Sequence, residues 1–293
     1  MTGQRAPLRD MNAQFSLDGV PDLPLLMKRR AAAADAALAR WPHHVLRYGP
    51  GADQTLNLFL PARPAGDPGA PVLFFIHGGF WRSLDADLFS FLADGFLPFG
   101  ALLVVIDYPL MPAVRLADVL GACARALEWT HAHVAGYGGD PDRITICGHS
   151  AGGHLVAELA CAKAGLTRPS GQPGPGVPLA GAVAISGIYD LEPVTRSFQN
   201  DSLSLTAAEV AGFSPLGRSY CPTVPMLVAV GGDEPAEFLR QNDAFGAECT
   251  AAGRPAQAVH VPGTNHITVL TGALARPDHP FNRQIRARMG LIG

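Results

Sequence analysis

The chain has 293 residues, 48% of them hydrophobic and 16% charged, and 22 Lys and Arg against 25 Asp and Glu leave a formal charge of −3. That composition suits a globular protein with a substantial core. It offers no basic face for nucleic acid, and no apolar run reaches the roughly 18 residues that a membrane span needs.

In chain order, the opening "MTGQRAPLRDMNAQFSLDG" has no apolar core of the secretory type, so the cytoplasm is the expected address. Residues 20–40 then carry "LLMKRRAAAADAALAR", an Ala-rich helix of high propensity. Residues 1–45 are expected to form an arm packed on a single domain spanning 46–293, with His43 and His44 in the linker after the first helix. "TLNLFLP" (55–61) alternates and predicts an edge strand. "PVLFFIHGG" (71–79) and "ALLVVIDY" (101–108) are continuous apolar runs, as expected of strands buried on both faces. Helical patterns follow each of them, "DADLFSFLADGFLP" and "RLADVLGACARALEWTHAHV". In the second, His131 and His133 fall on different faces and make no metal pair.

"RITICG" is the next strand and leads straight into the helix "AGGHLVAELACAKA". "LAGAVAISGIYD", "PMLVAVGG" and "AQAVHVPG" read as further strands, "PAEFLRQNDAFGAECTAAG" and "PFNRQIRARMG" as helices. Residues 166–178 read as a surface loop, and 190–220 as a short helical insertion over the top of the sheet. This alternation predicts an α/β fold, a mostly parallel central sheet with helices on both faces. The five cysteines, Cys123, Cys147, Cys161, Cys221 and Cys249, are scattered without a Cys-x-x-Cys pair, so neither a disulfide framework nor a zinc site is expected.

Chemistry concentrates in two places. Gly148-His149-Ser150-Ala151-Gly152 sits between a strand and a helix and fits Gly-x-Ser-x-Gly. A tight turn there forces the serine backbone into an unfavourable conformation and lifts Oγ above the sheet, while flanking glycines avoid collisions. The helix beginning at Ala151 aims its first amides at whatever Ser150 holds. His77-Gly78-Gly79-Phe80-Trp81, at the end of a buried strand, offers further amides to an oxyanion.

A serine hydroxyl needs a base, and the base an orienting acid, in the order Ser, acid, His. Of the later histidines, His154 lies in the elbow helix, His260 within a strand as a packed ring, and His279 near the C-terminus; His266 in "VPGTNHITVL" follows the last strand. The acid should follow "PMLVAVGG", where counting from Gly231 selects Glu234 and counting from Gly232 leaves Asp233 open. Phe80, Trp81 and Tyr108, with His149, stand where they could wall an apolar pocket, although Trp81 could equally pack beneath the loop.

"HGGFW" (77–81), "DYPLMP" (107–112), "GGDPDRITICGHSAGGH" (138–154) and "GTNH" (263–266) together resemble the α/β-hydrolase superfamily. They are most similar to its kynurenine formamidase-like and small carboxylesterase branch, which writes its oxyanion motif as His-Gly-Gly-aromatic-Trp. "VGGDEPAEFLRQ" and the opening "MNAQFSLDGVPD" resemble the same branch, and the likeness spans roughly residues 10–285. Pro109 departs from it, standing where many members carry Arg. The resemblance implies Ser150 as nucleophile, His266 as base and Glu234 as acid. It implies Gly79 and Ala151 as oxyanion donors, with Gly78 or Phe80 assisting.

The expected reaction is acyl transfer from a small-molecule ester or aryl (form)amide to water, with no metal or organic cofactor. A homodimer is left open. The competing readings are a general short-chain carboxylesterase without a formamidase role, an acyltransferase, and a non-catalytic binding protein on the same fold.

Overall fold

The computed structural model describes residues 10–61, 69–161, 176–218 and 224–291. Two helices come first, α1 (Met11–Gln14) and α2 (Leu23–Arg40). Eight strands follow: β1 (His43–Arg47), β2 (Thr55–Phe59), β3 (Ala70–Ile76), β4 (Leu102–Ile106), β5 (Gly139–His149), β6 (Gly181–Ile185), β7 (Met226–Gly231) and β8 (Ala256–Val261). They form one sheet in the order β1-β2-β4-β3-β5-β6-β7-β8. β1 and β2 are antiparallel additions, and every pairing from β4 through β3 to β8 is parallel.

Every residue of β3, β4, β6 and β7 is buried, which is why these strands read as unbroken apolar runs. One core lies on the face covered by α4 (Leu116–His133), α5 (Ala151–Ala160) and α9 (Ala236–Ala251); the other lies under α2, residues 87–99 and α10 (Pro280–Arg288). Among the described residues no helix is long and apolar enough to cross a membrane.

Three local expectations change. β2 is an interior strand, and the edge is β1, which contains His43 and His44. The alternation in β2 misled because its polar residue, Asn57, is buried and donates to Asp87 Oδ1 at 2.6 Å. His260 is half-exposed on the far edge strand and bonds Asp243 at 2.7 Å, where a packed ring was expected. The pattern "DADLFSFLADGFLP" makes a 3-10 segment (Asp87–Leu92), one α turn, α3 (Ala93–Phe96), and another 3-10 turn (Leu97–Phe99). Gly95 and Pro98 are poor α formers, and Gly100 ends the segment at φ 87°. Most of the loop expected at 166–178 lies outside the described residues.

The insertion carries α6 (Glu192–Thr195), α7 (Asn200–Leu203) and α8 (Ala207–Phe213). Arg115, at the start of α4, clamps it: Nε donates to Glu209 Oε1 at 3.0 Å, Nη1 to Leu203 O at 3.3 Å and Nη2 to Ser204 O at 3.0 Å. The N-terminal segment joins the same surface. Phe198 N donates to Asn12 Oδ1 at 2.7 Å, Gln199 Nε2 to Phe15 O at 2.9 Å, and Glu237 N to Gln14 Oε1 at 2.9 Å.

Arg115→Ala is expected to speed amide exchange across residues 200–213 by roughly tenfold, the loss of one charged clamp, while sheet amides keep their protection. Equal exchange in both proteins by mass spectrometry would contradict the clamp.

Candidate active site

β5 passes into α5 through Ser150, whose backbone sits at φ 57° and ψ −120°. Such a geometry is strained for a residue with a side chain and persists only where its surroundings enforce it. Ser150 N donates to Ile185 O at 2.8 Å, and His154 N closes the first turn on Ser150 O at 3.1 Å. A Cβ at Gly148 would lie 2.3 Å from Gly152 O, across the turn as expected. One at Gly152 would lie 2.0 Å from Ile76 O, so that glycine clears the neighbouring strand β3. Ser150 caps α5 without a side-chain hydrogen bond, which leaves Oγ and the first amides of the helix for a ligand.

The loop after β3 holds Gly79, Phe80 and Trp81 at φ 109°, 49° and 58°. A Cβ on Gly78 would stand 3.0 Å from Ser150 Cβ, so this loop lies directly against the elbow. Buried polar groups keep it there. His77 Nδ1 donates to Gly78 O at 2.7 Å, Tyr108 Oη donates to His77 O at 2.9 Å, and the two rings stack at 4.3 Å. Trp81 Nε1 donates to His154 Nδ1 at 3.2 Å, so His154 Nε2 carries the proton that it donates to Phe213 O at 2.8 Å.

Trp81 and Tyr108 are 0% and 1% exposed, and they pack beneath the loop instead of walling a pocket. Their polar tips are the physical reason, since each finds its partner inside the protein. Phe80 and His149 do line the cleft.

His266 follows β8, and its Nδ1 donates to Glu234 Oε2 at 2.6 Å. Glu234 Oε1 accepts from Gly231 N at 2.8 Å and from Ser186 Oγ at 2.5 Å. Asp233 is exposed, and its backbone amide bonds Thr264 O at 2.9 Å. Glu234 is thus the carboxylate that meets the imidazole. Ser186 escaped the sequence reading. It directly follows β6 at φ 52° in "AISG", and a serine before glycine at a strand end was the only signal for it.

Ser150 and His266 line one cleft of about 200 Å³ and make no hydrogen bond to each other. Such bonds tighten when substrate closes the site. Phe15 and Leu17 from the N-terminal segment, Met27, Phe89 and Ile267 supply apolar walls. Among the described residues no group of three or more His, Cys, Asp or Glu could hold a metal ion.

Burial lowers the pKa of His77 and His154 to about 4 and holds that of His149 well below its usual value. All three rings are neutral in the folded protein near pH 7 and regain the ordinary value of about 6.5 on unfolding. Between these values the unfolded chain binds more protons, so stability is complete above about pH 6.5 and declines as pH falls toward 4. Urea melts at pH 7, 6.5 and 5.5 should show proton uptake on unfolding rising toward about three, near 1.4 kcal/mol per pH unit for each ring. A pH-independent midpoint over that range would contradict neutral burial.

Residues 73–270 match the family profile of the alpha/beta hydrolase fold, a span that contains the serine elbow, the glycine loop, Glu234 and His266. The kynurenine formamidase of Danio rerio is 26% identical, over 76% of this chain and 74% of its own. Esterase LipQ of Mycobacterium tuberculosis is 31% identical, over 75% of this chain and 55% of its own. The crystal structure of esterase B from Lactobacillus rhamnosis superposes with a TM-score of 0.71 at 21% identity, covering 91% of this chain and 92% of that one, a likeness of fold alone. With the sheet order, the elbow and the family match in agreement, the chain belongs to the alpha/beta hydrolase fold family.

Proposed function

We propose that the protein is a serine hydrolase that cleaves a small carboxylic ester or aryl formamide through an acyl-enzyme. The carrying observation is the 2.6 Å bond from His266 Nδ1 to Glu234, which leaves the other ring nitrogen as the base on a cleft that also holds Ser150. His266 removes the Ser150 Oγ proton as that oxygen attacks the substrate carbonyl. The oxyanion is held by amides of the glycine loop and of Ala151. His266 then protonates the leaving alcohol or aniline, and the acyl group stays on Ser150. Water, deprotonated by the same ring, releases the acid and restores the hydroxyl. Glu234 fixes the imidazole tautomer and stabilises the imidazolium.

A cleft of about 200 Å³ supports a small substrate, since pockets for drug-sized ligands run upward from about 300 Å³. Relatives named kynurenine formamidase support an aryl formamide. The higher identity to esterase LipQ supports the second reading, a short-chain carboxylesterase without formamidase activity. A panel of p-nitrophenyl esters of rising chain length beside N-formyl and N-acetyl anilides separates the two. Turnover confined to formyl anilides supports the first reading, and a broad ester profile supports the second.

Ser150→Ala should lower kcat by about 10⁶ and abolish labelling by a fluorophosphonate probe, with an unchanged circular dichroism spectrum. Near-normal turnover in that variant would refute the assignment. Ser186→Ala removes one of the two donors to Glu234 Oε1, leaving Gly231 N, and should lower kcat by roughly tenfold with little change in KM, the mark of a positioning residue. A variant indistinguishable from the parent would remove Ser186 from the machinery.

A further inference from the structure

α2 turns an Ala-lined face, Ala34 and Ala37, toward the interior, and on the same face it buries an arginine. Arg30 is 6% exposed, yet among the described residues no hydrogen bond or ion pair reaches its guanidinium, and its Nε is fully buried without an acceptor. A buried arginine is ordinarily paired, because removing an unpaired charge from water is costly. Asp85 acts on Arg30 only through space, and its carboxylate accepts from Leu88 N at 3.1 Å.

Arg30 borders two spaces, and the groups lining each distinguish them. The guanidinium carbon lies 5.4 Å from the centroid of Phe89, and Phe89 and Arg30 line the cleft that holds Ser150 and His266. Arg30 also lines a second groove, of about 400 Å³, where the one carboxylate among the described lining residues, Asp94, is already bonded to Arg40 and to the Trp41 indole. The cleft itself is lined by Arg30 and Arg82 and by no Asp or Glu among the described residues. Arg82 spends Nη1 on Ser202 Oγ at 2.7 Å and Nη2 on Gln199 Oε1 at 2.6 Å, both neutral acceptors. In a protein of net charge −3, the described residues lining the reaction cleft therefore include two cations and no anion.

We propose that Arg30 is the receptor for a carboxylate carried by the substrate, and that the cleft selects small esters or aryl amides bearing a negative charge away from the scissile bond. This rests on the hydrolase reading of the same cleft. Bound substrate supplies the missing counter-ion, and a guanidinium desolvated beforehand gains more from a carboxylate than one in water. The apolar walls around it exclude the water that would otherwise screen the pair.

The test pairs substrates that differ only in charge: 4-acetoxybenzoate against 4-acetoxybenzamide, and 4-formamidobenzoate against 4-formamidobenzamide. Each rate is divided by the rate of hydroxide hydrolysis of the same compound. In the native protein the anionic member of the pair that is turned over should be favoured in kcat/KM by roughly ten- to a hundredfold, the range of a charge-assisted hydrogen bond. Arg30→Met should bring that ratio to about one, and Arg30→Lys should keep part of it. Arg30→Met should also raise Tm, because it replaces an uncompensated buried charge with an apolar side chain of similar length. An arginine with a purely structural role would lower Tm on replacement and leave the ratio unchanged.

Benzoate and benzamide test binding without turnover: only benzoate should raise Tm in the native protein, and neither should in Arg30→Met. Equal turnover of charged and neutral members, or equal shifts by the two ligands, overturns the proposal while fluorophosphonate labelling of Ser150 keeps the hydrolase reading. Absence of both labelling and turnover defeats the hydrolase reading, and the benzoate comparison then decides the role of Arg30 by itself.

Discussion

A positive φ at Ser150 is the constraint around which the chain is built. An unfavourable backbone geometry of that kind costs about 1–3 kcal/mol, and it survives only where packing leaves no alternative. β5 lies between β3 and β6 in the middle of the parallel sheet, and Ile144 through His149 are buried. The Ser150 amide is tied to β6 through Ile185 O, and α5 begins at the next residue. The elbow therefore cannot relax without disturbing the most deeply packed part of the sheet. Close approach of Gly152 to β3 belongs to the same constraint, since any side chain there would push helix and strand apart.

Around that point the protein treats polar groups in two ways. Beneath the glycine loop each is neutral and donates to a partner inside the protein: His77 to Gly78 O, Tyr108 to His77 O, Trp81 to His154 and His154 to Phe213 O. This chain links three consecutive positive-φ residues to the elbow helix and to α8 of the insertion, so the shape of the loop depends on elements far apart in sequence. Behind His266 the carboxylate of Glu234 is held by Gly231 N and Ser186 Oγ, which fixes the orientation of the ring. In the cleft itself the balance is different, because Arg30 and Arg82 line a space with no carboxylate among the described residues. Preorganised amides suit a developing oxyanion, and cations without a paired carboxylate suit an anion that arrives with the substrate.

The strand-helix alternation, the strained serine turn and the loop carrying His266 were legible because each is local. A buried strand announces itself by an unbroken apolar run, and a strained turn by small residues at fixed offsets from the serine. Composition-level readings of β2 and His260 failed for one reason: burial at a given residue depends on which strands lie beside it. Asn57 is tolerated inside because Asp87, from another segment, meets it, and His260 is exposed because β8 has a neighbour on one side only.

By itself, then, the sequence determined the fold class, the serine on its turn, His266 as the only suitably placed later histidine, and a pair of adjacent acids. Tertiary structure decided that Glu234 and not Asp233 meets the ring, that Ser186 steadies it, and that Trp81 and Tyr108 are core. It also brought Phe15, Leu17 and Arg30 from the N-terminal segment to the cleft. Backbone conformation and hydrophobic period are properties of neighbours in sequence. The partner of a buried polar group is set by how distant segments pack, and no short pattern records it.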